Sequence, residues 1–481
     1  MALDDKMMRA QFIVPLRIIT IKIQNLKNEV RKITSPVKII KEEKLSPPQV
    51  LVLGFLTVII IGTILLNLPA ASSTGKSVGF INALFTATSA TCVTGLIVLD
   101  TGKDFSTFGQ LIILILLQCG ELGIMTMSTM FAFLMGKRIS LRQRLIMQES
   151  LNQFSIGGLV RLAKYILIFT VIIEGVGATI LFFSFYWQRI YSPVQALYLG
   201  VFHSISAFCN AGFSLFSDSI MRYKGDLIIN LTFIALIILG GIGFLVLLEL
   251  FQYGKNGTLS LHANLALKIS LILILIGFIV IYLIESNNPF TLGNLNLSEK
   301  IYASLFQSVT ARTAGFNTIH IGSMLNPTLF LIIILMFIGA SPGSTGGGVK
   351  TTTFGLLILY VWSSLTGKEE INLFKRRVSP NIIPKALTVI TLSLALVTIM
   401  TILLSYVEGE NFIKILFEVV SAFGTVGLST GITPSLSVAG KIIVIITMFT
   451  GRVGPLGLAL ALIQRREPEV IKYPEEKVMV G

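Results

Sequence analysis

The chain alternates long apolar stretches with short ones, and the alternation runs four times. Stretches long enough to cross about 30 Å of hydrocarbon centre on residues 50–68, 108–135, 165–186, 227–251, 265–284, 328–362, 385–407 and 438–463. Inside each successive pair lies a further apolar segment, around 80–90, 193–207, 297–311 and 411–422. At about ten to fifteen residues these are too short to span, so they are predicted to enter the membrane and turn back. Non-helical backbone at that depth is tolerated only against protein or a water-filled cavity. The pattern therefore predicts an all-α polytopic membrane protein of eight spans and four re-entrant half-helices around a central pore.

Each short segment carries the same phrase, a Phe followed nine or ten residues later by a Gly in a small-polar loop. The copies are Phe85-Thr-Ala-Thr-Ser-Ala-Thr-Cys-Val-Thr-Gly95, Phe202-His-Ser-Ile-Ser-Ala-Phe-Cys-Asn-Ala-Gly212, Phe306-Gln-Ser-Val-Thr-Ala-Arg-Thr-Ala-Gly315 and Phe417-Glu-Val-Val-Ser-Ala-Phe-Gly-Thr-Val-Gly427. The glycines are separated by 117, 103 and 112 residues, so the repeating unit is a whole outer helix, half-helix, loop and inner helix. The units are predicted at about 49–136, 160–252, 263–363 and 384–466, forming a membrane domain over 49–466 between a basic segment 1–48 and a tail 467–481. Gly suits a loop that must aim successive carbonyls at an ion, because such backbone angles are disfavoured by a Cβ. Carbonyls so aimed replace the hydration shell of a cation. The candidate ligands are the main-chain oxygens of Val93, Thr94, Gly95, Asn210, Ala211, Gly212, Thr313, Ala314, Gly315, Thr425, Val426 and Gly427. Half-helices directing their partially negative C-terminal ends at the axis favour a cation over an anion. The third loop is one residue shorter from its Phe, so the four walls are not expected to be identical.

Composition agrees with the membrane reading. Of 481 residues 53% are hydrophobic and 13% charged, where a soluble domain carries roughly a quarter charged. The net charge of +14 is mostly a one-sided bias, which argues against nucleic acid as its cause. Segments 1–49, 136–164, 252–268, 363–385 and 464–481 hold 27 of the 38 Lys and Arg, and the opposite side holds eight. Both termini are therefore expected in the cytoplasm. Residues 1–48 lack a signal-peptide pattern and read either as an amphipathic helix on the inner leaflet or as a solvated basic tail. Three cysteines and three scattered histidines offer neither a disulfide framework nor metal-ligand spacing. No hydrolytic triad or paired-carboxylate site is evident, and no enzyme activity or bound nucleotide is expected. Gly240-Gly-Ile-Gly243 lies inside a spanning run and reads as helix packing.

The phrases Thr310-Ala-Arg-Thr-Ala-Gly-Phe-Asn317 and Ser421-Ala-Phe-Gly-Thr-Val-Gly-Leu428 resemble those of the potassium transporter superfamily of bacterial Trk and Ktr membrane subunits and plant high-affinity transporters, with the KtrB type nearest. The resemblance covers roughly residues 50–466. It implies potassium as the transported ion, since a Gly in every filter loop goes with potassium selectivity and Ser in the first goes with sodium permeation; Gly95 stands there. It also implies a homodimer with one pore per subunit, seated on a separate cytoplasmic ring of Rossmann-type subunits that bind adenine nucleotides. The basic stretches 136–144 and 375–377 are candidates to face that ring. Sodium is left open as a coupled ion or an activator.

The sixth span contains Gly339-Ala-Ser-Pro-Gly-Ser-Thr-Gly-Gly-Gly-Val-Lys-Thr-Thr-Thr353, too rich in Gly and Pro to continue a helix. A phosphate-binding loop needs Gly directly before Lys, and Val349 intervenes. By the same resemblance, Gly339, Ser341, Pro342, Gly343, Ser344, Thr345, Gly346, Gly347, Gly348 and Lys350 belong to an intramembrane gating loop, and Arg452 projects into the pore beneath the filter. Setting aside the cytoplasmic and external cations leaves Arg312, Lys350 and Arg452 at membrane depth, where charge is functional by default. Arg452 is expected to bond the loop carbonyls, the alternative being a salt bridge to Glu121 or Glu418. Arg312 is expected to tie its loop to a pore helix, with Glu418 as candidate partner. The combined expectation is inward potassium uptake driven by the membrane potential. A secondary active cation carrier with helices broken in pairs, or a sodium-permeable member of the same superfamily, is the alternative.

Overall fold

The computed structural model describes residues 46–123, 159–368, 370–374 and 376–462. Nearly all of segment 1–48, residues 124–135 of the second predicted span, the loop 136–144, Lys375 and the tail 467–481 lie outside the described residues.

Among the described residues, four unbroken helices are long and apolar enough to cross a membrane: α1 (Pro47–Leu66), α4 (Leu159–Trp187), α8 (Leu261–Glu285) and α12 (Ile382–Glu408). Each is followed by a shorter helix at a position the sequence predicts: α2 (Phe80–Thr91), α5 (Pro193–Phe208), α9 (Leu297–Thr310) and α13 (Phe412–Gly424). Polar caps start several of these helices. Ser192 with Gln195 and Asn296 with Glu299 form capping boxes on α5 and α9, and Asn411 accepts from Ile413 N at 3.0 Å on α13. Such caps satisfy amides that the first turn would otherwise leave unpaired.

The inner helices are α3 (Thr107–Leu122), α6 (Leu227–Gly241) with α7 (Phe244–Asn256), α10 (Asn326–Phe337) with α11 (Thr351–Leu365), and α14 (Val438–Val453) with α15 (Pro455–Leu462). They differ from the expectation of continuous spans with one central break. Gly123, Gly243 and Gly454 have φ of +72°, +93° and +87° and end α3, α6 and α14, and α6 and α7 are bent by 101°. The third repeat breaks between Ile338 and Lys350. Gly240-Gly-Ile-Gly243 is thus a helix break as well as a packing site. Its cause lies three residues upstream of each turning glycine. A Cβ on Gly120, Gly240 or Gly451 would strike the carbonyl of Thr91, Phe208 or Phe423, at the ends of α2, α5 and α13. The inner helix is clamped there, and the next glycine supplies the left-handed angle that turns the chain.

Packing closes the repeats into a circle. Every outer helix packs on its own short helix (α1 on α2, α4 on α5, α8 on α9, α12 on α13). Every inner helix also packs on the short helix of the next repeat: α3 on α5, α6 on α9, α10 on α13, and α14 back on α2. The repeated Phe anchors each short helix in the core, since Phe85, Phe202, Phe306 and Phe417 are all buried. Within a membrane such rings contribute through close van der Waals packing rather than by leaving water.

Candidate functional site

At the centre of the circle the four Gly-bearing loops meet. A Cβ on Gly212 would lie 2.8 Å from the carbonyl oxygen of Ala314, and one on Gly315 2.5 Å from that of Val426. Likewise Gly95 abuts the Ala211 carbonyl and Gly427 abuts that of Thr94. Each glycine is therefore pressed against the residue preceding the next glycine, and the fourth returns to the first.

The backbone repeats with it. The residue two before each glycine has positive φ, namely Val93 (+57°), Asn210 (+57°), Thr313 (+81°) and Thr425 (+50°), and the glycines follow at +88°, +70°, +77° and +92°. Non-Gly residues adopt such angles only where the surroundings impose them. Here hydroxyls four residues after each Phe do so. Ser89 Oγ donates to Leu96 O at 2.7 Å and accepts from Gly95 N at 3.1 Å; Ser206 and Thr310 donate to Phe213 O and Phe316 O at 2.7 Å each; Ser421 Oγ accepts from Gly427 N at 3.1 Å. These four residues were not among the sequence candidates, although a hydroxyl at a constant offset from Phe is visible in all four copies.

The shorter third loop leaves its mark. Thr94, Ala211 and Val426 donate their amides five residues back, to Ser89, Ser206 and Ser421, whereas Ala314 donates four back, to Thr310.

The twelve candidate residues lie in these four loops, and the carbonyls of Thr94, Ala211, Ala314 and Val426 stand at the contacts between them. Among the described residues, none of the main-chain oxygens of Val93–Gly95, Asn210–Gly212, Thr313–Gly315 or Thr425–Gly427 accepts a hydrogen bond from the protein. Ten of the twelve residues are buried, Gly212 and Gly427 being half-buried. Buried carbonyls are almost always paired, so a set of twelve without protein donors is a place for water or a cation.

A cavity of about 260 Å³ opens on one side of the ring, lined by all four glycines together with Asp100, Asp218 and His320. Asp218 pairs with Arg222 at 2.6 Å. Partial burial raises its pKa, but hydrogen bonds and charge from Arg222 outweigh that, and the carboxyl is held below its usual range.

The break in the third repeat carries the gating candidates across the other side. Ser341 N and Thr345 N donate to Gly241 O and Gly240 O at 3.0 and 3.3 Å, and Phe244 N donates to Gly343 O at 2.9 Å, tying the loop to the second repeat. Gly347 N donates to Thr425 Oγ1 at 2.8 Å. A Cβ on Gly346 would meet the Thr313 side chain and one on Gly347 that of Thr425. The loop thus touches two of the four central loops. Lys350 Nζ turns back to Gly346 O and Gly347 O at 2.5 and 3.5 Å. Ser341 Oγ lies 3.0 Å from Thr351 Oγ1, and Ser344 donates to Ser341 O. Gly339 packs on the Gly347 carbonyl, and Pro342 abuts Gly243. Gly343, Ser344, Gly346, Gly348, Lys350 and Arg452 line a second cavity of about 320 Å³.

Arg452 spans the site. One guanidinium nitrogen donates to Thr345 O on the loop and the other to Gly120 O, with Glu121 O at 3.4 Å. It therefore bonds the loop as expected, and meets the main chain of Glu121 rather than its carboxylate. Arg312 departs from expectation, because its guanidinium donates to Ser270 O at 3.4 Å and Ser270 Oγ at 3.0 Å. Glu418 accepts instead from Ser429 Oγ at 3.0 Å and from Thr433 Oγ1, bracing the chain after Gly427. The structure also brings together two carboxylates that no spacing revealed, those of Glu121 and Glu174.

Residues 32–471 match the family described as TrkH, cation transport protein. The chain is 45% identical over 444 residues to Ktr system potassium uptake protein B of Bacillus subtilis, covering 92% of this chain and 99% of that one. It is 41% identical to the protein of the same name from Vibrio alginolyticus (90% and 95% covered) and 38% identical to potassium/sodium uptake protein NtpJ of Enterococcus hirae (91% and 98% covered). Among solved structures, the potassium transporter TrkH from Vibrio parahaemolyticus matches with a TM-score of 0.65 at 18% identity, over 90% of this chain and 88% of that one, a likeness of fold. A ring of four glycine loops, closed by packing from the fourth repeat to the first, accordingly sits in a chain that belongs to the TrkH family of cation transport proteins.

Proposed function

We propose that this protein takes up potassium across a plasma membrane through the ring of four loops, with the 339–350 loop as its gate. The observation that carries the reading is the set of twelve loop carbonyls without protein donors among the described residues. A dehydrated cation is the partner that such oxygens can hold without a hydrogen to accept. Similarity to the two Ktr potassium uptake proteins favours potassium, and Gly95 in the first loop supports it over a sodium-permeable pore. A membrane potential of 100 mV supplies about 2.3 kcal/mol per charge, enough to drive uptake without hydrolysis in this chain. Among the described residues, inner helices are interrupted in the second, third and fourth repeats rather than in pairs between two halves, which favours a pore over a carrier. The test is flux in proteoliposomes holding an imposed potential. Potassium should enter in preference to sodium, and equal entry of both would reject the assignment.

In this reading the chain has eight spans, counting each broken inner helix as one, and four half-helices. The N- and C-termini are cytoplasmic. The protein works as a homodimer under a separate nucleotide-binding ring of Rossmann-type subunits, with sodium as coupled ion or activator. Orientation has its own check. Cysteines placed at Lys76, Arg189 and Lys224 should react with impermeant thiol reagents from outside, and those at Ser140, Gly257 and Lys368 only after permeabilisation. Wrong-side labelling at two or more sites would overturn the eight-span arrangement.

A further inference from the structure

Beside the ion path, Glu121, Glu174 and Cys209 converge from the end of α3, the middle of α4 and the residue after α5. Their ligand atoms all lie within 4.8 Å of one another. Cys209 Sγ donates to Glu121 Oε2 at 2.9 Å, and Gln118 Nε2 donates to Glu174 Oε1 at 2.6 Å. Glu121 is only 4% exposed, yet its Oε1 is wholly buried without a hydrogen-bond partner. Among the described residues, no basic side chain bonds either carboxylate, because Arg452 is spent on main-chain oxygens. Arg452 acts on Glu121 through charge without bonding its carboxylate, so two acids at membrane depth with one orphaned oxygen leave a place for a further positive partner.

We propose that these three side chains form a binding site for a borderline divalent cation of the zinc class, entered from the 320 Å³ cavity that Glu121 lines. The thiol decides the class, since hard cations take oxygen alone whereas zinc accepts sulfur and carboxylate together. Zinc bonds of about 2.0–2.3 Å set ligand atoms about 3.5 Å apart, so shifts of roughly an ångström close the three around one ion. Binding displaces the thiol proton to cavity water, and sulfur then bonds the metal through the electron pair it held. Gln118 holds the Glu174 carboxylate from behind, as outer partners of metal ligands do. The ion would also fix Glu121, whose main chain shares Arg452 with the loop carbonyl of Thr345. Zinc is therefore expected to hold the loop shut and slow flux.

The test is calorimetric titration of the full chain in lipid nanodiscs with zinc chloride, beside the variants Cys209→Ser, Glu174→Gln and Cys119→Ser. The expected result is one zinc per chain, weakened at least about tenfold by the first two changes and untouched by Cys119→Ser. Cys209→Ser retains a donor facing Glu121, so monodisperse protein that has lost zinc has lost a ligand. Absence of stoichiometric binding in the parent would overturn the site and leave the two acids sharing a proton. Equal binding by parent, Cys209→Ser and Glu174→Gln would overturn it too. Neither result bears on the potassium assignment, which the flux measurement without zinc tests separately.

Discussion

Gly315→Ser is expected to lower the preference for potassium over sodium by at least about tenfold, and Gly95→Ser to do so as well. Two effects add at these positions. The glycines sit at φ of +77° and +88°, where a Cβ costs about 1–2 kcal/mol. The same Cβ would also strike the carbonyl of Val426 or Ala211 in the neighbouring loop. The loop cannot relax inward without losing the aperture, so the strain is released by turning carbonyls off the axis. Ala at either position should act in the same direction, which separates backbone aim from any effect of the serine hydroxyl. The measurement is potassium uptake with sodium competition in a host lacking its own potassium uptake. Unchanged ion preference in both serine variants would show that these loops do not set selectivity.

The second large effect concerns the gate. Arg452→Ala removes the link between Thr345 and Gly120, and shortening the chain around Gly343–Gly348 removes the contacts with Thr313 and Thr425. Both changes are expected to raise flux in the absence of a regulatory partner. A charge-assisted hydrogen bond contributes roughly 1.5–3 kcal/mol, so loss of the Arg452 fork should shift a closed state by about ten- to a hundredfold. Because Arg452 also joins α14 to the end of α3, expression and thermal stability must be matched before rates are compared. Well-folded variants with parental flux would assign the barrier elsewhere.

Much of this architecture is legible in the chain, and the exceptions have a common cause. Phe85, Phe202, Phe306 and Phe417 announce the short helices because a buried ring and a register-matched Gly survive in every copy. The helix ends at Gly123, Gly243 and Gly454 are harder to see, since apolar residues run on through them and hydropathy does not change. What bends the chain is a carbonyl of the adjacent short helix lying against Gly120, Gly240 or Gly451, a contact between segments about thirty residues apart. The partner of Arg312 is hidden from local pattern for a related reason. Glu418 is acidic and at the right depth, but Ser429 and Thr433 already occupy it, so the guanidinium turns to Ser270 on α8. Glu121 and Glu174 belong to different repeats, and only circular packing makes them neighbours. Local pattern gives the units, and contacts between units decide the rest.

The bond from Gly347 to Thr425 and the seat of Gly346 against Thr313 carry a further consequence. A barrier that merely blocked the path could move without altering what lies above it. This loop props two walls of the ring, so under the proposed function withdrawing it would change the support of the proposed ion ligands. Permeability ratio and open probability are then expected to be linked quantities: a state that conducts more would also discriminate differently. Ion preference measured with the gate held shut, from rare openings, need not equal that of a fully opened protein, and a ligand that stabilises the open loop tunes both together.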